Sequence, residues 1–327
     1  MKTVFFDKDI PRIGLTKAAA KCCKPLLFTG LNAVKYREFP DPPLPAANWM
    51  RVRNIASGVC GTDLSFFKAT TGTNSALEPI AGTKHTFLGH ETIGVVSEIG
   101  PEVKKFKVGD RVTLREYMSG CGNKDIKEPF HFCREGNYCL CENYGEPSPL
   151  ALPETGAGWG DSFVAPEQQM SKVFDELSDD EAVMVEPAAV SIHAVLMSPP
   201  EKGEKVMVLG CGTIGLGVVQ AIKIIQPECE VWVMERIKTK QDFALRLGAD
   251  HILSGEPYEA VSKATGGSKV YTGMKGNKMM FGGFDRIYDC VGGNWSNTTC
   301  LRLLRARGTL VKVGHHMNAI KIGRAHV

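Results

Sequence analysis

Four side chains with metal-binding chemistry stand in the N-terminal part of the chain: Cys60, His90, Glu91 and Glu186. A thiolate, an imidazole and a carboxylate around one ion form the tetrahedral sites of zinc, and a catalytic site of this kind keeps one coordination position open. Taken singly, each residue has an ordinary interpretation, as a small buried thiol, a surface pair or an acid at a helix start. Taken together, they predict a catalytic metal site.

A glycine-rich turn, Gly210–Gly215, gives a second chemical signal. It follows an apolar run typical of a buried strand and precedes apolar residues at helical spacing. In such a strand, turn and helix, bare backbone lets a pyrophosphate reach the N–H groups at the helix start. The residues predicted to bind a dinucleotide are Gly210, Gly212, Thr213, Ile214, Gly215, Glu235 and Arg236.

Glu235 follows the second apolar run, Glu230–Met234, at the place where a ribose-binding carboxylate is expected. It favours NAD, because a carboxylate accepts a hydrogen bond from the ribose 2′-hydroxyl and repels a 2′-phosphate. The cations Arg236, Lys238 and Lys240 keep NADP open, since they can hold that phosphate. The sequence therefore predicts a nicotinamide dinucleotide, with NAD preferred over NADP.

Several segments resemble the zinc-dependent medium-chain dehydrogenase/reductase superfamily, which includes the alcohol, sorbitol, threonine and glucose dehydrogenases. They occur in family order across most of the chain. The segments are Gly58–Asp63, Gly89–Glu91, Val108–Val112, Val185–Ala188, the glycine turn and Asp289–Gly293. A set of this size in this order identifies the chain as a member of the superfamily.

The resemblance implies an α/β protein with two domains. Residues 1–192 form a GroES-like β-barrel catalytic domain that holds the zinc ion, and residues 193–320 form a Rossmann domain with a doubly wound parallel sheet. Short β-type runs before His193 and alternating strands and helices after it agree with this division. The strands expected in the second domain are Lys205–Leu209, Glu230–Met234, His251–Leu253, Phe284–Cys290 and Gly308–Gly314.

The resemblance also assigns the metal ligands. It implies that Cys60 and His90 bind the catalytic zinc and that Glu186 is the third protein ligand, as in the polyol and sugar branch of the family. The simple alcohol dehydrogenases have a cysteine at the position of Glu186. Glu91 is similar to the family's glutamate beside the metal, which exchanges with water as a ligand. We expect His90 and Glu91 to lie on one strand over residues 87–96.

Two neighbours of Cys60 have supporting roles by the same resemblance. Thr62 matches the hydroxyl that relays the proton of the alcohol, although a turn threonine bonded to local backbone is the alternative. Asp63 is similar to the carboxylate that orients the ligating histidine. The implied reaction is zinc-assisted hydride transfer from a secondary alcohol, such as a polyol or sugar, to NAD(P)+.

Two other functions stay open at this stage. A non-catalytic nucleotide-binding protein of the same fold keeps the glycine turn without turnover. A methyltransferase carries a similar turn on a related sheet and binds S-adenosylmethionine. Neither of these two classes of protein explains the set formed by Cys60, His90 and Glu186.

A second group of cysteines partly resembles the lobe that holds a structural zinc in many family members. Cys133 and Cys141 have the spacing of the last two cysteines of that lobe, whereas Lys127 and Phe130 occupy its two earlier positions. Other potential donors nearby are Cys121, His131 and Cys139. They either complete an irregular site, which needs four donors, or remain free thiols.

Composition bounds the remaining possibilities. The 327 residues are 43% hydrophobic and 23% charged, as in an ordinary globular protein, and the length allows two domains. A net charge of +3 without a basic stripe argues against nucleic acid as a partner. The start lacks a signal peptide, so we expect a cytoplasmic protein with reduced cysteines, 11 in all, and with no membrane partner. The resemblance implies a small alcohol or sugar as the partner and a homo-oligomer for the full-length form.

Two further segments carry expectations. Residues 255–284 are rich in Gly, Lys and Met and are predicted to form a solvated surface loop. The last residues, Lys321–Val327, resemble the translation of a sequencing adapter and are predicted to be a non-native tail. In that case the reading frame continues beyond Ile320, and the strand Gly308–Gly314 is expected to be an exposed edge.

Overall fold

The structure of the chain is a computed structural model that describes residues 1–70, 84–115, 121, 126, 128–143 and 155–314. The predicted tail at 321–327 lies outside these residues. The chain divides into two compact units, Met1–Glu186 and Pro187–Val327. The predicted domain boundary at 192/193 lies within the helix Val185–Met197, which also contains this division.

The first unit contains strands and short helices in the following order. They are β1 (Lys2–Asp7), α1 (Ile10–Cys22), β2 (Val34–Glu38), β3 (Trp49–Ser57), α2 (Gly61–Phe67), β4 (His85–Phe87), β5 (Thr92–Ile99), β6 (Arg111–Leu114), α3 (His131–Arg134), β7 (Ser162–Pro166), β8 (Met170–Lys172), α4 (Asp179–Ala182) and the start of α5 (Val185–Met197). Short 3-10 helices lie at Lys24–Phe28, Tyr138–Leu140 and Glu167–Gln169.

An antiparallel sheet with the order β7-β3-β5-β6-β8 forms the body of this unit. Val52 pairs with Val96 on one side and with Phe163 on the other, so large apolar side chains meet across neighbouring strands. Val52, Val96 and Phe163 are buried together with Met50 and Val112. This apolar core fixes the strand register, because a shift by one residue exposes the whole set.

A second sheet has the order β2-β1-β4. Helix α1 connects β1 to β2 and was not predicted from the sequence. The side chain of Asp9 accepts a hydrogen bond from the N–H of Arg12, at 2.9 Å, and Pro11 stands in the first turn. Both features favour a helix start. Inside the helix, the buried hydroxyl of Thr16 accepts from the N–H of Ala33, which ties α1 to the segment before β2.

The second unit alternates strands and helices. The elements after α5 are β9 (Lys205–Leu209), α6 (Thr213–Ile225), β10 (Glu230–Met234), α7 (Lys238–Arg246), β11 (His251–Leu253), α8 (Pro257–Thr265), β12 (Lys269–Thr272), a 3-10 turn (Met274–Gly276), β13 (Lys278–Phe281), β14 (Phe284–Asp289), α9 (Asn294–Leu303) and β15 (Leu304–Lys312).

The main sheet of this unit is parallel, with the order β11-β10-β9-β14-β15. The order reverses direction at β9, which is the switch point where α/β sheets bind ligands. Strands β9, β10 and β11 have the bounds that the sequence predicted, and β14 ends one residue early. Strand β15 begins at Leu304 instead of Gly308, and its pairing with β14 is irregular between Phe284 and Arg286.

The prediction of a solvated loop over residues 255–284 is wrong. Helix α8 begins there, with the side chain of Glu256 accepting from the N–H of Glu259 at 3.0 Å. Strands β12 and β13 then form an antiparallel hairpin. Val261 and Met280 are buried in one apolar cluster with Phe284, and this packing outweighs the polar composition of the segment.

The single strand predicted over residues 87–96 is also wrong. Strand β4 ends at Phe87 and β5 begins at Thr92, so His90 and Glu91 lie on a turn between them. Gly89 breaks the strand with a φ of +86°, a conformation that favours glycine. In a strand, neighbouring side chains point to opposite faces of the sheet, whereas on this turn His90 and Glu91 can lie on the same side.

No helix among the described residues is long and apolar enough to cross a membrane. The uncharged run from Val206 to Ile222 consists of two elements in the structure. Strand β9 ends at Leu209, Gly210 turns with a φ of +86°, and α6 starts at Thr213.

Candidate metal and cofactor sites

Three of the predicted metal ligands come together in the first unit. Cys60 Sγ, a ring nitrogen of His90 and a carboxylate oxygen of Glu91 all lie within 4.8 Å of one another. Cys60 immediately precedes α2, and the other two lie on the turn between β4 and β5. All three residues are half-buried, which leaves them partly accessible to solvent. We call this set the mixed-donor cluster.

Glycine at position 58 lets the two ligand-bearing segments approach closely. The N–H of Gly58 donates to the carbonyl of Glu91, at 2.7 Å. A Cβ atom at position 58 would stand 2.1 Å from Glu91 Oε2, so a side chain there would displace the carboxylate. The absence of a side chain at Gly58 therefore gives the Glu91 carboxylate its place beside Cys60.

Asp63 also connects the segment that carries Cys60 with the segment that carries His90 and Glu91. This carboxylate is 1% exposed, and its oxygens accept from the N–H of Cys60 at 3.0 Å and from the N–H of Gly89 at 3.1 Å. Its Oδ1 lies 3.8 Å from Nδ1 of His90, which is longer than a hydrogen bond. In this structure Asp63 holds the backbone on both sides of the cluster, whereas the sequence predicted a role for it on the histidine ring.

The donor set fits a zinc ion. Thiolate, imidazole and carboxylate are the ligands that zinc takes in proteins, and solvent access at the cluster suits a site with an open position. Glu186 lies in the first turn of α5 and is not in the group of donors that lie within 4.8 Å of one another. Its assignment as the third ligand stays a prediction. Thr62 stands in the first turn of α2, two residues after Cys60, and is half-buried.

A second donor group, which we call the thiol cluster, lies elsewhere in the first unit. The sulfur atoms of Cys121, Cys133 and Cys141 lie within 4.8 Å of one another, and Cys121 and Cys141 are 3.7 Å apart. All three side chains are buried. His131 is not in this group, and the side chain of Cys139 lies outside the described part of the chain.

Hydrogen bonds to Cys121 favour its thiolate. Its sulfur accepts from the N–H of Phe130, at 3.3 Å, and from the side-chain amide of Asn143, at 3.0 Å. Burial opposes ionisation, but these bonds and contacts with Cys141 and Cys133 outweigh it and lower the pKa of Cys121. A buried thiolate with sulfur neighbours is suited to holding a metal ion.

The glycine turn of the second unit has the geometry of a phosphate cradle. Gly210 has a φ of +86°, and a Cβ atom at Gly215 would stand 1.9 Å from the Gly210 carbonyl oxygen. Gly212, in contrast, faces open space at the start of α6, where no side chain caps the helix. Bare N–H groups and open space at this helix start fit a pyrophosphate. Thr213 and Ile214 form the first turn of the same helix.

Glu235 is oriented by the backbone around it. Its carboxylate accepts from the N–H of Cys211 at 2.8 Å, of Arg236 at 2.8 Å and of Ile237 at 3.0 Å. Burial opposes its ionisation, but these bonds and the nearby charge of Lys240 outweigh that effect and lower the pKa of Glu235. A fixed, ionised carboxylate beside the glycine turn is suited to accepting bonds from a ribose.

Asp289, the first residue of the motif Asp289–Gly293, holds the turn that follows β14. It is fully buried at the end of β14, where Oδ1 accepts from the N–H groups of Val291 and Gly292. Its Oδ2 accepts from the hydroxyl of Ser296 and the ammonium of Lys312, both near 3.0 Å. The turn after β14, at the same edge of the sheet as the glycine turn, is therefore held by one carboxylate.

Comparison with known families defines the class of both units. The family model of the alcohol dehydrogenase GroES-like domain matches residues 46–175, and that of the zinc-binding dehydrogenase matches residues 213–326. The first match lies within the β unit and the second within the parallel-sheet unit. The chain therefore combines a GroES-like domain with a Rossmann-type domain.

The relatives give the family. The chain is 30% identical over 295 residues to (R,R)-butanediol dehydrogenase of Saccharomyces cerevisiae, covering 84% of this chain and 72% of the yeast protein. It is 28% identical over 306 residues to sorbitol dehydrogenase of Arabidopsis thaliana, covering 90% of this chain and 75% of that protein. The chain belongs to the zinc-dependent medium-chain dehydrogenase/reductase superfamily.

Solved structures agree with this fold. The alcohol dehydrogenase of Aeropyrum pernix superposes with a TM-score of 0.70 at 23% identity, covering 89% of this chain and 77% of that protein. A structure described as a zinc-binding dehydrogenase of Sinorhizobium meliloti 1021 bound to NADP gives a TM-score of 0.65 at 26% identity, covering 89% and 76%. The predicted superfamily and fold class are confirmed.

Proposed function

We propose that the protein oxidises a secondary alcohol of the polyol or sugar type and transfers the hydride to NAD+. The observation that carries this proposal is the mixed-donor cluster, in which Cys60, His90 and Glu91 lie within 4.8 Å of one another. Membership of the zinc-dependent family supports the chemistry. The relatives that act on sorbitol and butanediol, by their names, support a substrate with neighbouring hydroxyl groups.

Each part of the cluster has a task in this proposal. A zinc ion bound there supplies Lewis acidity, which lowers the pKa of an alcohol. Cys60 and His90 would hold the ion with the Glu91 carboxylate beside them, and Asp63 holds the Cys60 and Gly89 backbone in place. The Thr62 hydroxyl, two residues from the thiolate, takes the alcohol proton and passes it to solvent.

The cofactor residues act separately from these ligands. The open backbone at Gly212 would receive the pyrophosphate, and the N–H groups at the start of α6 would stabilise its charge. Glu235, fixed by three backbone N–H groups, accepts from the ribose hydroxyls. Because its carboxylate is ionised, it repels a 2′-phosphate, so we propose NAD as the preferred cofactor. Arg236 follows Glu235 directly, at the place where a cation would tolerate NADP.

The test combines turnover with metal content. Purified protein, loaded with zinc, is assayed with polyols, vicinal diols and primary alcohols, and formation of NADH or NADPH is followed by its absorbance. We expect oxidation of secondary alcohols with NAD, and loss of both turnover and one equivalent of zinc in the Cys60→Ser variant. Cys23→Ser, at an exposed cysteine, is the matched control.

Three outcomes contradict the proposal. Alcohol oxidation that survives in metal-free protein excludes the role given to the cluster. Dinucleotide binding without turnover on any alcohol favours the non-catalytic nucleotide-binding protein instead. A preference for S-adenosylmethionine over dinucleotides would point to a methyltransferase.

A further inference from the structure

One short loop touches both segments that carry the mixed-donor cluster. We call residues 157–160 the bridging loop. The N–H of Trp159 donates to the carbonyl of Leu88 at 2.9 Å, and the N–H of Gly158 donates to that of Gly89 at 2.8 Å. The indole Nε1 of Trp159 donates to the carbonyl of Gly58, also at 2.9 Å. The loop therefore binds the residues before His90 and the residues before Cys60.

The contact with the histidine segment is tight. A Cβ atom at Gly89 would stand 2.3 Å from Cδ1 of Trp159 and 2.6 Å from its backbone nitrogen. A Cβ atom at Gly158 would stand 2.8 Å from the Gly89 oxygen and 2.5 Å from Ser57 Oγ. The indole ring therefore lies close against the backbone that precedes His90, and a side chain at Gly89 or Gly158 would force the two segments apart.

The bridging loop is itself fixed to the core. The side-chain amide of Asn54 on β3 donates to the carbonyls of Ala157 at 3.0 Å and Gly160 at 2.7 Å. The N–H of Val4 on β1 donates to the carbonyl of Trp159 at 2.9 Å. The ring packs against an apolar cluster that includes Leu88. Because the loop is bonded to β3 and to β1, these two strands fix the position of the Trp159 ring.

We propose that Trp159 is a positioning residue for the metal, because its indole N–H holds the Cys60 segment at a set distance from the His90 segment. This inference rests on the proposed function, since it concerns the ion held by the mixed-donor cluster. Residues that orient metal ligands from outside typically change metal affinity ten- to a hundredfold when they are altered. Trp159 acts through the backbone of Gly58, to which its indole donates, and of Gly89, against which its ring lies.

The variant Trp159→Phe removes the hydrogen bond to Gly58 and keeps an aromatic ring in the apolar cluster. Zinc affinity is measured by competition with a chromophoric chelator, counting only the equivalent that Cys60→Ser loses. We expect Trp159→Phe to bind that equivalent about tenfold more weakly. Trp295→Phe, at a tryptophan 61% exposed in the second unit, is the matched control and leaves the affinity unchanged.

A spectrum separates positioning from general stability. In cobalt-loaded protein, the thiolate-to-metal band reports the ligand geometry, and we expect it to shift in Trp159→Phe but not in Trp295→Phe. If Trp159→Phe does not fold, the test is made on the wild-type protein by NMR. Its Trp159 indole N–H signal, assigned by replacing the other three tryptophans in turn, is expected to shift when zinc is added.

The outcomes are distinct. Unchanged zinc affinity and an unchanged cobalt band in Trp159→Phe overturn the positioning role and leave the proposed function intact. An indole signal that does not respond to zinc does the same. If wild type and Cys60→Ser bind equal amounts of zinc, the proposed function itself fails.

Discussion

The two donor groups of the first unit differ in composition and in exposure. The mixed-donor cluster combines sulfur, nitrogen and oxygen from Cys60, His90 and Glu91, all half-buried. The thiol cluster consists of sulfur alone, and its members are 1% to 7% exposed. Catalytic zinc sites stay open to a substrate, whereas structural sites are closed by protein ligands. The comparison predicts that the first cluster controls turnover and the second controls stability.

The largest effect is expected at the mixed-donor cluster. His90→Ala removes a donor from the metal, and the loss of several kcal/mol of Lewis-acid stabilisation lowers kcat by about a thousandfold or more. Turnover is followed by the absorbance of the reduced nicotinamide. His251→Ala, at a half-exposed histidine of the second unit, is the control. Full activity in His90→Ala would contradict the prediction that the mixed-donor cluster controls turnover.

A smaller effect is expected from the carboxylate behind the cluster. In Asp63→Asn the amide nitrogen cannot accept, so one of the N–H groups of Cys60 and Gly89 loses its partner. We expect zinc affinity to fall by about ten- to a hundredfold, measured by chelator competition. Asp161→Asn, at an exposed carboxylate that accepts from the N–H of Lys2, is the matched control. Equal affinities in the two variants would contradict the role of Asp63.

The thiol cluster is tested through stability. Cys133→Ser places a hydroxyl among buried sulfur atoms, and we expect the free energy of unfolding to fall by about 1–3 kcal/mol while kcat stays unchanged. If the cluster holds an ion, a chelator destabilises the wild type and has less effect on the variant. Denaturant unfolding with and without chelator measures both. A loss of turnover that follows Cys133→Ser without unfolding would contradict the division of roles.

The smallest effect is expected at Glu235, outside both clusters. Its pKa is lowered in the folded protein from an ordinary value of 4.5, so its ionised form stabilises the fold. That contribution is complete above pH 4.5 and is lost as the pH falls through the lower folded value. The stability difference between wild type and Glu235→Gln should therefore be constant from pH 6 to 8 and shrink towards pH 3. A stability difference that grows on acidification would contradict a lowered pKa of Glu235.

Much of the second unit was predictable because its strands are short apolar runs. Lys205–Leu209, Glu230–Met234 and His251–Leu253 have the predicted bounds, since buried parallel strands carry their signal in consecutive residues. Residues 255–284 were not predictable in this way. There, single buried residues such as Val261 and Met280 decide the structure within a polar segment.

The types of the metal-binding residues could be predicted from the sequence, whereas the residues that hold them in place could not. Ligand chemistry is visible in Cys60 and His90 themselves. The part of the structure that holds them is not, because Trp159 and Asn54 act through tertiary hydrogen bonds over long sequence distances. Glu186 remains a prediction, since the sequence gives its chemistry but not its distance from the other donors.

Anomalous diffraction at the zinc edge, on crystals loaded with zinc, tests the central claim most directly. We expect a strong peak bonded to Cys60 Sγ and a ring nitrogen of His90, next to the Glu91 carboxylate. Zinc bound only among Cys121, Cys133 and Cys141, with no peak at the mixed-donor cluster, would contradict it.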